Sequence, residues 1–206
     1  MALSAQAVVN CAAGGTCNGG DKASVYEHAF TDGLVHASCM NYIAQNLTTR
    51  SCEAIDICRD CHGPAPEQIG DLSTCKAVDH KKYYVSEIFH VVGADQMKAE
   101  LVQGGPISCS IHATEEFDNY DGTYIYSEKT DYTTTNHTIA VVGYGKDAET
   151  GQEYWIGRNS WGTYWADWGF FYMAMYEDNL LIETNCVAGT PSYEKPHHPN
   201  AEVFIQ

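Results

Sequence analysis

Apolar and polar residues follow two regimes along this chain, and the change comes near residue 80. In the first regime, Leu3 to Cys11 is a short apolar run compatible with a helix, with Ser4 placed to cap its first turn. Small residues at Ala13-Gly14-Gly15 predict a turn, and Cys17-Asn18-Gly19-Gly20-Asp21 follows it. Ala23, Tyr26, Ala29 and Phe30 recur at helical spacing, which predicts a helix over 22–31 with Asp21 as N-cap and Gly33 as stop. From Cys39 to Cys75 no period survives and cysteine, proline and polar residues dominate, so the expectation is an irregular, stapled segment.

The second regime reads as sheet. Alternation predicts a strand over 83–92, a helix over 95–103 ended by Gly104-Gly105-Pro106, a strand over 107–112 and a short helix over 115–120. Three further strands, 138–145, 154–159 and 170–175, predict an antiparallel sheet, with polar Lys146 to Gly151 as a hairpin loop. The fold class expected is α+β. A helical, disulfide-laced front domain spans 1–80, a β-rich, barrel-like back domain spans 81–190, and 191–206, with three prolines, forms a loose tail.

Composition narrows the partners. A chain of 206 residues can bury a core without staples, so its nine cysteines need another explanation. Together with Asn46-Leu47-Thr48, a glycosylation acceptor, they point to an oxidising secretory route, either a lysosome-like compartment or the extracellular space. Met1 to Gln6 has neither the basic nor the apolar region of a signal peptide, so a longer or processed parent protein is expected. A formal charge of −16 repels nucleic acid and anionic membrane, and no apolar run approaches the roughly 18 residues of a membrane span.

Chemistry concentrates in the β-rich half. Asn136-His137-Thr138 precedes one strand and Asn159-Ser160-Trp161-Gly162 follows the next, so His137 and Asn159 can face each other at one end of a hairpin. An amide there can orient an imidazole, the base-and-orienter half of a nucleophilic site. The structural alternative is a satisfied core histidine surrounded by packing aromatics. Cys58-Arg59-Asp60-Cys61-His62 matches a haem-attachment pattern and could offer zinc ligands, but five neighbouring cysteines favour disulfides. His28, His112 and the pair His197-His198 read as structural or solvated, with no metal site expected.

Four separated segments occur in one order: Cys17-Asn18-Gly19-Gly20, Asn136-His137, Gly143-Tyr144-Gly145, and Asn159-Ser160-Trp161-Gly162-Thr163-Tyr164-Trp165. Together they resemble the papain-like cysteine peptidases, and the resemblance covers residues 3 to about 190. Leu3 to Gln6, Gly105 to Cys109, Ala113 to Glu115 and Asn179 to Cys186 are similar to a branch of that family that trims single residues from peptide C-termini.

The resemblance implies a two-domain fold, a peptide or protein substrate, no cofactor and a monomer. It implies His137 and Asn159 as catalytic residues, Trp161 as cover for their hydrogen bond, and Trp165 on the leaving-group side. It further implies that Gly19, Gly20 and the Asn136 carbonyl bind substrate backbone. By the same resemblance the disulfides are Cys11–Cys52, Cys39–Cys58, Cys61–Cys75 and Cys109–Cys186, with Cys17 unpaired. Asn46 is then the glycosylation site, since Asn136 overlaps the proposed base.

One part of the family pattern is missing. The nucleophile belongs in a C-G-S-C-W context some 130–150 residues before the His and Asn. Counting back lands near residues 7 to 9, yet neither Cys11 nor Cys17 has the following tryptophan or an upstream glutamine. The expectation is that the nucleophile lies outside this chain, leaving either an incomplete copy of an active peptidase or an inactive relative that retains a peptide groove.

Overall fold

The computed structural model describes residues 1–45, 52–63, 73–129 and 131–196. They fall into two units, one formed by Met1–Ile88 with the strand residues from Gly189 onward, the other by Phe89–Ala188. The change of unit therefore comes at Ile88, within a strand, and not near residue 80.

The first unit begins with α1 (Ala5–Asn10), whose Ser4 cap accepts from the Ala7 amide at 3.0 Å. Its buried face is polar as well as apolar, because Gln6 and Asn10 are fully buried beside Ala7. Gln6 donates to Asn10 and to the Gln45 carbonyl and accepts from the Ile43 amide, while Asn10 donates to the Asp56 carbonyl. Buried amides are tolerable only when so engaged. A short ribbon, β1 (Gly15–Thr16) with β2 (Gly19–Gly20), leads into α2 (Lys22–Thr31), capped by Asp21 and closed by Gly33 at φ 78°. Next come β3 (Leu34–Val35) and a 3₁₀ turn, Ala37–Cys39.

The stretch expected to be irregular contains regular pieces. They are α3 (Ala54–Ile57), and a hairpin of β4 (Arg59–Cys61) with β5 (Cys75–Ala77) that sets Cys61 opposite Cys75. Three-residue strands are too short to show a period. Asn46, the expected glycosylation site, lies outside the described residues, as do His197 and His198.

β6 (Lys82–Val91) carries the chain into the second unit, where α4 (Ala94–Gln103) buries Ala94 and Met97. There follow β7 (Ile107–Ile111), α5 (Glu115–Asp118), β8 (His137–Lys146), β9 (Glu153–Arg158), β10 (Phe170–Ala174), a 3₁₀ turn at Asn179–Leu181, and β11 (Cys186–Ser192). Pro191 and Ser192, expected in a loose tail, are the last residues of β11.

Within this unit the strands lie in the order β10-β9-β8-β7-β11, antiparallel throughout. The sheet is open and not barrel-like. Beyond its pairing with β9, β10 carries only isolated bridges among the described residues, Met173 to Tyr126 and Phe170 to Asp167, in place of another strand. Alternate residues Ile107, Cys109 and Ile111 of β7, Ile139 and Val141 of β8, Trp155 of β9, and Phe171 and Met173 of β10 point into one core. A Cβ on Gly157 would lie 2.0 Å from the Phe171 ring, so glycine lets the end of that ring pack against β9.

The two units are held by different means. The buried apolar cluster of the first consists of Ala7, Val35 and Met40, and Leu3, Tyr42 and Ile43 stay exposed. Three disulfides, Cys11–Cys52, Cys39–Cys58 and Cys61–Cys75, supply cross-links, each contributing about 2–4 kcal/mol. The second unit has the large aromatic core and one disulfide, Cys109–Cys186, between β7 and β11.

Candidate active site

His137 opens β8 opposite Ile111 of β7, and Asn159 comes one residue after β9. The β8–β9 register aligns Ala140 with Arg158, which brings the start of one strand and the exit of the other to the same end of the hairpin. The backbone just before His137 is fixed twice. The Asn136 amide N–H donates to the Ile111 carbonyl, and its side chain accepts from the Ala113 N–H at 2.8 Å and donates to the Ala113 carbonyl at 3.1 Å. The Asn159 N–H donates to the Gly169 carbonyl at 2.8 Å.

Between these anchors His137 Nε2 meets Asn159 Oδ1 at 2.8 Å. The same Oδ1 accepts the Ser160 N–H at 2.8 Å, and a backbone donor can only face an oxygen. That contact fixes which way the amide points, so Nε2 carries the proton and donates it. The lone pair of a neutral ring therefore resides on Nδ1, which meets no hydrogen-bonding partner among the described residues. Asn159 is 5% exposed, and its Nδ2 is buried without a partner among the described residues.

An aromatic shell encloses this pair. The Trp161 ring stacks on His137 with centroids 4.9 Å apart at 27°. Trp165 packs on Trp161 at 5.1 Å and anchors its own Nε1–H on the Asp118 carbonyl at 2.9 Å. Phe117, fully buried on α5, touches both at 6.0 and 5.2 Å and also meets Tyr126 and Phe171. Phe117 and Asp118 were not singled out from the sequence. A helix over 115–120 was expected, but an aromatic's partners forty residues away leave no local trace.

The structure thus brings together Asn136, His137, Asn159, Trp161 and Trp165. Gly19 and Gly20 belong to the other unit, exposed in β2, where they pair with Thr16 and Gly15. Cys17, also there, is exposed and the single free cysteine, since the other eight form the four disulfides. Cys58 and Cys61 are both bonded, to Cys39 and Cys75, so neither is a free ligand for haem or zinc. His62 instead lies 3.0 Å from Asp60, and no grouping of His, Cys, Asp and Glu suited to a metal occurs among the described residues. His28 pairs with Asp32 at 3.5 Å, and His112 stacks on Tyr132 at 3.6 Å.

Comparison with known proteins places this geometry. The family model described as papain family cysteine protease matches residues 1–190. Cathepsin Z of Onchocerca volvulus is 38% identical over 196 residues, covering 92% of this chain and 60% of that protein. Cathepsin B-like cysteine proteinase 6 of Caenorhabditis elegans is 29% identical over 93% of this chain and 53% of its own length. The chain therefore spans between half and two-thirds of these relatives. Among solved structures, the bromelain protease of Ananas comosus with the E64 inhibitor superimposes with a TM-score of 0.70 at 22% identity, covering 92% of this chain and 78% of that one. Procathepsin L 3 from the larval midgut of Tenebrio molitor gives 0.65 at 28%, with 92% and 55% covered.

Proposed function

The chain belongs to the papain family of cysteine proteases, and from that premise we propose that His137 and Asn159 are the base and orienter of a peptidase whose nucleophilic thiol is supplied from outside these 206 residues. The observation that carries this reading is the His137 ring, held through Nε2 by Asn159 with Nδ1 left open. An imidazole fixed at one nitrogen is set to exchange a proton at the other. In the proposed reaction a thiolate attacks the peptide carbonyl, and Nδ1–H of the imidazolium protonates the departing amine. Nδ1 then takes a proton from water as that water hydrolyses the thioester. Nε2–H stays on Asn159 throughout, and Trp161 keeps water from competing for that bond.

Cysteine bookkeeping supports an external thiol. Eight sulfurs are locked in disulfides, and the ninth, Cys17, has neither the following tryptophan nor the upstream glutamine of the family's nucleophile. Gly19, Gly20 and the Asn136 carbonyl serve the substrate backbone in this reading, and Trp165 lines the leaving-group side. Trimming of single residues from peptide C-termini is what the resemblance of Leu3 to Gln6, Gly105 to Cys109, Ala113 to Glu115 and Asn179 to Cys186 implies. Four disulfides support a secretory or lysosomal setting, with the protein acting as a monomer on peptides. Among the described residues no helix is long and apolar enough to cross a membrane.

A second reading, an inactive relative that keeps a peptide groove, is favoured by the same cysteine count. The two separate in an assay of the complete gene product on matched peptides with free and amidated C-termini. The peptidase reading expects release of one residue from the free form only, with His137→Ala lowering the rate about 10²–10⁴-fold. Binding of both peptides with no release by the complete product supports the inactive relative.

A further inference from the structure

The second unit contains a cavity that the reaction proposed above does not use. It has a volume of about 600 Å³ and opens between the 122–127 segment, the 147–152 hairpin loop and β10. The hairpin loop is at the far end of β8 from His137. At about 3.3 Å per residue, the nine steps from His137 to Lys146 put roughly 30 Å between that loop and the His137–Asn159 pair.

Its walls combine two chemistries. Tyr124, Tyr154 and Tyr172 supply aromatic side chains, and Asp147, Glu149 and Glu177 supply carboxylates. Two more carboxylates border it, Asp121 bound to the lining Thr123 and Asp167 bound to the Tyr172 hydroxyl. Against these five negative groups stand two nearby ammonium groups, Lys129, 3.5 Å from Glu177, and Lys146, which precedes Asp147 and lays its stem near Gly151, so the lining keeps a negative excess. Asp147 spends one oxygen on Thr150 and the Glu149 amide, so its own hairpin keeps it in place. Tyr124 is 52% exposed, so its ring is open to a ligand.

The same unit already holds one cation by this combination. The Lys98 ammonium lies 4.9 Å over the Tyr176 ring and 5.5 Å over that of Tyr144, 3.2 Å from Glu153 and 2.5 Å from the Tyr176 hydroxyl. Carboxylates attract a cation from a distance, and tyrosine faces hold it by the quadrupole while covering its methylene stem.

We propose that this cavity is an exosite for a lysine- or arginine-bearing peptide segment, with one basic side chain seated among Tyr124, Tyr154 and Tyr172 and the carboxylates of Asp147, Glu149 and Glu177. Charge complementarity selects the occupant. An acidic or aliphatic segment gains nothing from this lining, and a chain of net charge −16 draws basic partners to it. The site needs no free thiol, so it serves equally an active peptidase or an inactive relative.

The test is titration of the chain at 0.15 M salt with a short acetylated, amidated peptide of alternating glycine and lysine, read through backbone-amide NMR shifts. Saturable shifts are expected at Thr123, Tyr124, Thr150 and Tyr172, with affinity at least tenfold weaker for the norleucine analogue, which keeps the stem and loses the charge. Glu149→Gln with Glu177→Gln should weaken binding at least tenfold, and Tyr124→Ala at least threefold. The charge-matched pair Glu27→Gln with Asp79→Asn, which lies in the first unit, should change it less than twofold. Equal loss in the first-unit pair, equal binding of the norleucine peptide, or the absence of shifts at those amides would overturn the proposal.

Discussion

At the His137–Asn159 pair, a backbone N–H decides the chemistry. Because Ser160 donates to Asn159 Oδ1, the amide cannot turn over, and the imidazole must present Nδ1 outward. The two partners were legible in the sequence, since a histidine before one strand and an asparagine after its hairpin neighbour must converge. The residues that hold their cover in place were not. Phe117 and the Asp118 carbonyl act on Trp161 and Trp165 across more than forty positions, and no local period encodes that. In a proton NMR spectrum the His137 Nε2–H should give a slowly exchanging resonance. Asn159→Ala should remove it, and Trp161→Ala should speed its exchange at least tenfold; unchanged exchange in Trp161→Ala would show that the ring does not exclude water.

A second histidine sets a pH dependence. Burial pushes the His28 imidazole below its ordinary pKa, Asp32 opposes that shift, and Lys82 adds to it. The folded state therefore binds this proton less readily than the unfolded chain. Its contribution to stability is complete above the unfolded value near 6.5 and is lost as pH falls through the lower, folded value. Urea midpoints should decline between pH 7.5 and 5.5, and His28→Gln should flatten that part of the decline.

At the scale of elements, the β8–β9 hairpin does most to place the site. Its apolar alternation, polar loop and glycines made it readable, and the structure adds a register shift between Val141 and Gly143. Gly157 is its most constrained position, because the Phe171 ring occupies the space of a Cβ. Gly157→Ala should destabilise the second unit by about 1–3 kcal/mol in denaturant unfolding. A neutral result would mean that β10 shifts freely. The short elements were less legible. Gln6 and Asn10 look like surface residues of a helix until their partners at Ile43, Gln45 and Asp56 are known. β4 and β5 show no pattern because three residues each are too few for alternation to register.

For the whole molecule, the two regimes of the sequence correspond to two ways of holding a fold together. One unit relies on three disulfides around a small apolar cluster, the other on a dense aromatic core with one. β6 passes from one unit to the other as a continuous strand, and alternation does not mark where neighbours change. Mild reduction should therefore raise amide hydrogen exchange throughout residues 1–45 while β8, β9 and β10 stay protected. Simultaneous loss in both would show that the cores are not independently stabilised.

The proposal that the thiol comes from elsewhere can be put directly to the chain. Treating it with an epoxide inhibitor of the E64 type, followed by intact mass and peptide mapping, asks whether any of its own sulfurs is activated by His137. The account predicts no adduct that depends on His137, with Cys17 reacting no faster than an ordinary exposed thiol. One equivalent bound at Cys17, and lost in His137→Ala, would contradict it and make Cys17 the nucleophile.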